Sequence, residues 1–255
     1  MPHPVTPPSS DRPAHEAPTP AAAPPDGTGP VPAAVLWDMD GTLVDTEPAW
    51  MGAEETLVVE FGGVWTPQDA LQMVGLPLPD AAQILQDHGV TLPLERIGER
   101  LVAGVAAAIA QGVVWQPGAR EMLLALQAEG IPCALVTMSY RELADAVVAQ
   151  APPGVFQVVV TGDEVEHGKP HPEPYLTAAA RLDVDITRCV AVEDSRPGIA
   201  SALASGARTL GVEHIVPVLE QPGLSRTDSL AKVSVADLGR LLTGEVIDHL
   251  DARRG

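Results

Sequence analysis

Asp38-Met39-Asp40-Gly41-Thr42 decides how this chain is read. Directly before it, Ala33-Ala34-Val35-Leu36-Trp37 is an uninterrupted apolar run, the pattern of a parallel strand buried on both faces. Two carboxylates one residue apart, followed by glycine, stand at the end of that strand. Desolvating such a pair is costly unless a positive charge lies between them. A divalent cation with oxygen ligands, magnesium above all, meets that need.

Working outward, the chain changes character on either side of residue 113. From Pro117 onward, helical patterns over 118–129, 141–150, 172–182 and 198–205 lead into strand patterns over 132–136, 157–160, 189–192 and 209–212. A weak strand over 232–235 precedes a last helix. Such alternation means a parallel sheet wound with right-handed crossovers. Residues 45–112 instead show helical spacing over 54–60, 80–88 and 94–110, punctuated by Gly62-Gly63, Pro67, Gly75, Pro77, Pro79 and Gly89. The expected organisation is an α/β core over 33–48 and 113–255, with a helical cap over 49–112 inserted after the first strand. Residues 1–32 hold 11 prolines and lack the apolar centre of a signal peptide, so a disordered tail is expected there.

The chain has 255 residues, 45 % of them apolar but only 3 % aromatic, so Ala, Val and Leu must fill the core. A net charge of −19 repels nucleic acid and anionic lipid. An anionic substrate then needs a local positive site that the total conceals. Lysine is used only twice, at 169 and 232, against 13 arginines. No run reaches the ~18 apolar residues of a membrane helix. Cys133 and Cys189 both lie in apolar runs and read as buried thiols in a reducing, cytoplasmic setting rather than as a disulfide framework.

In an open parallel sheet, ligands bind beyond the carboxyl ends of the strands. The residues that follow each strand are Asp38 and Asp40, then Thr137-Met138-Ser139, then Gly168-Lys169-Pro170, then Glu193-Asp194-Ser195. One hydroxyl, one lysine and four carboxylates thus converge on one sheet edge. Each has a plainer reading beside this one. Thr137 could cap the helix starting near Arg141, Lys169 could be an ordinary surface lysine, and Glu193 and Asp194 could favour a helix start. His167 and His171 flank Lys169 and suggest a metal site, against the plainer reading of solvated loop histidines. Arg96 and Arg100 share a helix face with Glu95 and Glu99 close by, the pattern of a salt-bridged surface. Trp50 and Trp65 read as apolar packing for the cap.

On these four motifs, over residues 33 to 215, the chain resembles the haloacid-dehalogenase superfamily in its helical-cap branch, which includes sugar phosphatases and beta-phosphoglucomutase. Asp38 to Thr42 look like its first motif, Thr137 its second and Lys169 its third. Glu193-Asp194, in Glu193-Asp194-Ser195-Arg196-Pro197-Gly198, look like its fourth. The resemblance implies an α/β fold: a Rossmann-like parallel sheet core, its nucleophile strand central, with an inserted small α-helical cap domain. It implies Asp38 as nucleophile and Asp40 as general acid and base. Mg2+ would be held by Asp38, the Asp40 backbone carbonyl and Asp194, with Glu193 behind them. Thr137 and Lys169 would hold phosphate oxygens, helped by backbone N–H groups after Asp38 and Thr137.

The function so implied is a magnesium-dependent phosphomonoesterase for a small phosphorylated metabolite, a sugar or polyol phosphate, acting through an aspartyl-phosphate. Glu47-Pro48-Ala49-Trp50 resembles hexose- and hexitol-phosphatase relatives. The alternative is a phosphomutase. Relatives of that kind carry an arginine after the cap glycine, whereas here Gly75 is followed by Leu76-Pro77-Leu78-Pro79. Dehalogenases of the superfamily lack the second acid, and its phosphonatases use a cap lysine that residues 45–112 do not have. A regulatory protein on the same fold would have lost a motif residue, and none is missing. The expected partner is a small phosphate ester, with neither nucleic acid nor membrane, and nothing in the sequence sets an oligomeric state.

Overall fold

The computed structural model describes residues 29–73 and 76–250. Its centre is β1 (Ala34–Trp37), four residues without solvent exposure. Four helices follow: α1 (Glu47–Glu60), α2 (Pro67–Met73), α3 (Leu78–Asp87) and α4 (Leu94–Ile109). The chain then alternates through α5 (Ala119–Ala128), β2 (Cys133–Val136), α6 (Arg141–Val148), β3 (Phe156–Val160), α7 (Glu173–Arg181), β4 (Cys189–Glu193), α8 (Arg196–Ser205) and β5 (Arg208–Val212). It ends with β6 (Leu224–Thr227) and α9 (Val235–Leu242). The six strands form one parallel sheet in the order β3-β2-β1-β4-β5-β6. This is the Rossmann-like α/β core with a helical insertion expected from the sequence.

Both faces of the sheet are covered, which explains why β1, β2 and β4 are continuous apolar runs instead of alternating ones. Val35, Trp37, Cys133, Leu135, Val190 and Val192 pack on one face with α5, α6 and α9. Ala34, Leu36, Ala134, Val136, Cys189 and Ala191 pack on the other with Tyr175 and Ala178 of α7 and Ala202 of α8. Register puts Val35 beside Cys133 and Ala34 beside Cys189, so the two thiols flank the central strand and are free and buried. Burial pushes the Cys133 thiol up to about 12 and the Cys189 thiol up to about 11, which leaves both unreactive.

The helical block has a cluster of its own around Leu57, Val58, Trp65, Met73, Leu85, Ile97 and Leu101. It is joined to the core by α4, whose Val102, Val105 and Ile109 belong to the cluster beneath the sheet. Trp50, Ala53 and Leu78 touch both clusters. Burying one such Leu or Ile contributes about 1.5–3 kcal/mol. The exposed Arg96–Glu99 pair on the same helix is worth only ~0.3–0.5 kcal/mol. Apolar contacts therefore set the pose of α4. Arg100 pairs with Glu60 of α1 at 2.5 Å, a partner in another element and not the neighbouring Glu95 or Glu99.

Towards the C-terminus two elements differ from the sequence expectation. The segment 232–235 is no strand: Leu230–Lys232 makes a 3-10 turn and α9 begins at Val235. Ser234 and Asp237 close a reciprocal capping box, Ser234 Oγ accepting the Asp237 N–H at 3.2 Å and Asp237 accepting the Ser234 N–H at 2.9 Å. The sixth strand is instead Leu224–Thr227, whose centre is polar. Arg226 is 1 % exposed there, and its guanidinium donates to Asp248 at 2.9 Å and to the Val218 carbonyl at 3.2 Å. The expected tail lies outside the described residues up to 28. Of the remainder, Pro32 is buried and the Pro30 carbonyl sits so close to Gly239 of α9 that a Cβ would overlap it.

Glu54 on α1 is 4 % exposed, and among the described residues its Oε2 has no hydrogen-bond partner. Burial pushes its carboxyl up to about 7; the Trp65 indole N–H opposes the rise and Glu47 adds to it. Because the folded state holds a proton that the unfolded chain releases near its ordinary value of 4.5, stability falls as pH rises from about 4.5 to 7. Glu54→Gln is expected to match the parent near pH 4.5 and to exceed it by roughly 1–2 kcal/mol at pH 8. Urea unfolding at the two pH values measures the difference; a constant gap would contradict it.

Candidate active site

Asp38 continues β1 by donating its backbone N–H to the Val192 carbonyl at 3.0 Å. Its side chain thereby leaves the sheet edge between β2 and β4. Lys169, from the loop between β3 and α7, reaches the same point, and its side chain is 4 % exposed. Its ammonium donates to Asp38 Oδ1 at 2.6 Å, to Glu193 Oε1 at 2.6 Å and to the Val136 carbonyl at 2.9 Å. All three of its N–H bonds are used, as a buried ammonium requires. The ring of Tyr175 lies 5.2 Å away and adds a cation–π contact.

Glu193, the last residue of β4, is 0 % exposed. Besides Lys169 it accepts the Tyr175 hydroxyl at 2.9 Å. Its other oxygen takes the Asp194 N–H at 3.1 Å, the Ser195 N–H at 3.2 Å and the Ser195 hydroxyl at 3.1 Å. Ser195 Oγ in turn accepts the Gly198 N–H at 3.0 Å and caps α8. A side chain at Gly198 would occupy the place of the Glu193 carboxylate.

Asp40 belongs to a second network. Its carboxylate accepts the hydroxyls of Thr46 at 2.6 Å, Ser139 at 2.8 Å and Thr137 at 3.1 Å. Thr137 does not cap α6, which starts after Tyr140 without any side-chain cap. The Ser139 N–H turns back to Thr137 Oγ1 at 3.0 Å. Asp194 accepts the Thr42 hydroxyl at 3.1 Å. Gly41 has φ +84° and faces Asp194 so closely that a Cβ would overlap its carboxylate. Only glycine satisfies both demands.

The structure therefore brings Asp38, Asp40, Thr137, Lys169, Glu193 and Asp194 to one edge of the sheet. The sequence did not point to Thr46, Ser139 or Tyr175. Thr46 drew no reading and Ser139 stood unremarked beside Thr137. Tyr175 carries no local signal, since only the fold brings α7 beneath Glu193.

Charge within this cluster is unbalanced. Oxygens of Asp38, Glu193 and Asp194 lie within 4.8 Å of one another, with Lys169 as the cation among them. Burial first, then the Glu193 carboxylate, pushes Asp38 up to about 7 against the pull of Lys169. Burial, Asp38 and Glu193 drive Asp194 well above the ordinary carboxylate range. Burial alone would lower Lys169, but Asp38 and Glu193 outweigh it and keep the ammonium protonated. An all-oxygen donor set with surplus negative charge, beside a glycine that leaves room, fits a hard divalent cation.

A parallel α/β core with an inserted helical cap, and a lysine–carboxylate cluster at its strand ends, defines a hydrolase class. The haloacid dehalogenase-like hydrolase family matches residues 35–212, and the chain belongs to that family. It is similar to a phosphorylated carbohydrates phosphatase of Thermotoga maritima, 32 % identical over 184 residues that cover 71 % of this chain and 85 % of that protein. It is 29 % identical to a bifunctional riboflavin kinase/FMN phosphatase of Arabidopsis thaliana over 71 % of this chain, but spans only 48 % of that protein's length. Among solved structures, CbbY from Rhodobacter sphaeroides in complex with phosphate superimposes with a TM-score of 0.73 at 26 % identity, covering 81 % of this chain and 99 % of that one.

Lys169→Met keeps the side-chain stem and removes the charge, leaving Asp38 and Glu193 without their shared donor. The expected loss is about 3–5 kcal/mol of unfolding free energy at pH 7.5 without divalent cations. Urea denaturation measures it, and a change below ~1 kcal/mol would show that the ion pairs are energetically idle.

Proposed function

We propose that this protein is a magnesium-dependent phosphomonoesterase acting on a small phosphorylated carbohydrate or polyol through an aspartyl-phosphate. The observation that carries this reading is the shared ammonium of Lys169, at 2.6 Å from both Asp38 and Glu193, with Asp40 and Asp194 on the same sheet edge. A carboxylate attacking a phosphate ester meets like-charge repulsion. The site answers it with a buried cation and with carboxylates suited to hold another. Asp38, Asp194 and the Asp40 backbone carbonyl would hold Mg2+, which when bound neutralises charge on the phosphoryl oxygens.

In this reading Asp38 supplies the nucleophilic oxygen. The phosphoryl–ester bond breaks as the Asp38–phosphorus bond forms. Asp40 gives its proton to the departing alkoxide, then takes one from the water that cleaves the acyl phosphate. The hydroxyls of Thr46 and Ser139 orient its carboxylate for both transfers. Lys169 opposes charge on the phosphoryl oxygens. Thr137 exchanges its bond to Asp40 for one to phosphate. Glu193 contacts no substrate; with every acceptor position engaged, it holds Lys169 in place. The carbohydrate preference rests on the Thermotoga relative and on the Glu47-Pro48-Ala49-Trp50 segment. Gly75, the cap glycine on which the contrast with phosphomutases turned, lies outside the described residues.

Release of inorganic phosphate from a panel of sugar, polyol, nucleotide and glycolate phosphates tests the proposal. Turnover is expected with Mg2+ and is expected to vanish in excess chelator. Asp38→Asn should abolish it, and Asp40→Asn should reduce kcat by ~10²–10⁴ with substrate still bound. Chelator-resistant turnover, or a fully active Asp38→Asn, would refute the mechanism. Interconversion of sugar phosphates with a bisphosphate activator, without phosphate release, would make the protein a phosphomutase.

A further inference from the structure

The segment Glu166-His167-Gly168-Lys169-Pro170-His171-Pro172-Glu173 carries more donor chemistry than the lysine uses. Its ends are tied together. The Glu173 carboxylate accepts the backbone N–H of Glu166 at 2.7 Å and of His167 at 3.0 Å. The His171 N–H closes a turn onto the Gly168 carbonyl at 3.0 Å, and Ser201 Oγ donates to the His171 carbonyl at 2.6 Å. These bonds bring the two imidazoles face to face, 4.6 Å between centroids and 36° apart in tilt. His167 Nδ1 stands 2.9 Å from Glu173 Oε2, and His171 Nδ1 stands 3.9 Å from the same oxygen. One donor atom from each of the three residues lies within 4.8 Å of the others.

We propose that His167, His171 and Glu173 form a binding site for a transition-metal ion of the zinc class, separate from the carboxylate cluster at Asp38 and Asp194. Ligands ~2.0–2.2 Å from a tetrahedral zinc stand about 3.3–3.5 Å apart. The spacings of 2.9 and 3.9 Å straddle that value, so small ring rotations suffice. Two imidazoles and one carboxylate form a borderline donor set, which selects zinc over magnesium. Both histidines are exposed, which leaves a fourth position for water. The Glu166 backbone N–H first, then the other donors to Glu173, hold that carboxyl below its ordinary value and keep it ionised. Those N–H groups fix its direction before any ion arrives. Two bonds oppose the site and would be displaced by the metal: the His167 Nδ1–H donates to Glu173 Oε2 at 2.9 Å, so that nitrogen must lose its proton to ligate, and the Glu173 N–H makes a long contact of 3.3 Å to His171 Nδ1. Since Lys169 sits between two of the ligands, an ion bound here clamps the loop that carries it.

The proposal uses residues outside the catalytic reading, so its test does not depend on turnover. The full-length chain, with excess Mg2+ present, is titrated with Zn2+ by calorimetry, and with Co2+ while visible absorption is followed. A single high-affinity equivalent is expected, with a tetrahedral Co2+ spectrum. His167→Ala/His171→Ala should weaken it at least ~10-fold, and His171→Gln, which keeps a polar side chain on the turn, should weaken it too. Asp38→Asn should retain it. Unchanged zinc affinity in the histidine variants, or no zinc binding by the parent at micromolar concentration, would overturn the proposal.

Discussion

One ammonium holds the strand ends of this molecule together. Lys169 Nζ takes an acceptor from each of three strand termini: the Asp38 carboxylate after β1, the Val136 carbonyl of β2 and the Glu193 carboxylate of β4. Isolated ions in such a dry place would cost many kcal/mol, and that cost falls only when every donor and acceptor is met. The neighbourhood is built to that requirement. Tyr175, Ser195 and two backbone N–H groups complete Glu193, and Gly198 leaves the room it needs. The sheet makes this arrangement possible, because only parallel strands end side by side with their carboxyl ends aligned.

The negative charge left over gives the cluster its chemical character. Three carboxylates around one lysine leave surplus anionic charge, and burial has driven Asp38 and Asp194 upward in response. A few residues away the same loop presents imidazoles to solvent. An all-oxygen donor set and a nitrogen-rich one thus stand on either side of one lysine, a contrast in donor type that would favour different ions.

Much of this was legible in the chain. Strands buried on both faces announce themselves as unbroken apolar runs, which is why β1, β2 and β4 and the residues after them stood out. Polar strands do not. Leu224-Ser225-Arg226-Thr227 has no such run and drew no assignment, since the partner that neutralises Arg226, Asp248, lies 22 residues further on. Lys232 to Val235 looked like a strand on propensity, and the Ser234–Asp237 capping box overrode it. The short α2 was missed although Thr66 and Asp69 carry the spacing of a cap, Asp69 accepting the Thr66 N–H at 2.9 Å. Within the site, motif residues were visible by type and position. Thr46, Ser139 and Tyr175 were not, since hydroxyls that orient a carboxylate have no sequence period and depend on contacts made only in three dimensions.

Cys133 and Cys189 stand on the two strands that flank β1, sealed from solvent and held as thiols. Neither can be alkylated while the sheet is closed. The rate at which a thiol reagent modifies this chain therefore counts how often its innermost strands come apart. The native sequence carries its own two-point reporter of global opening, and no engineered label is needed to read it.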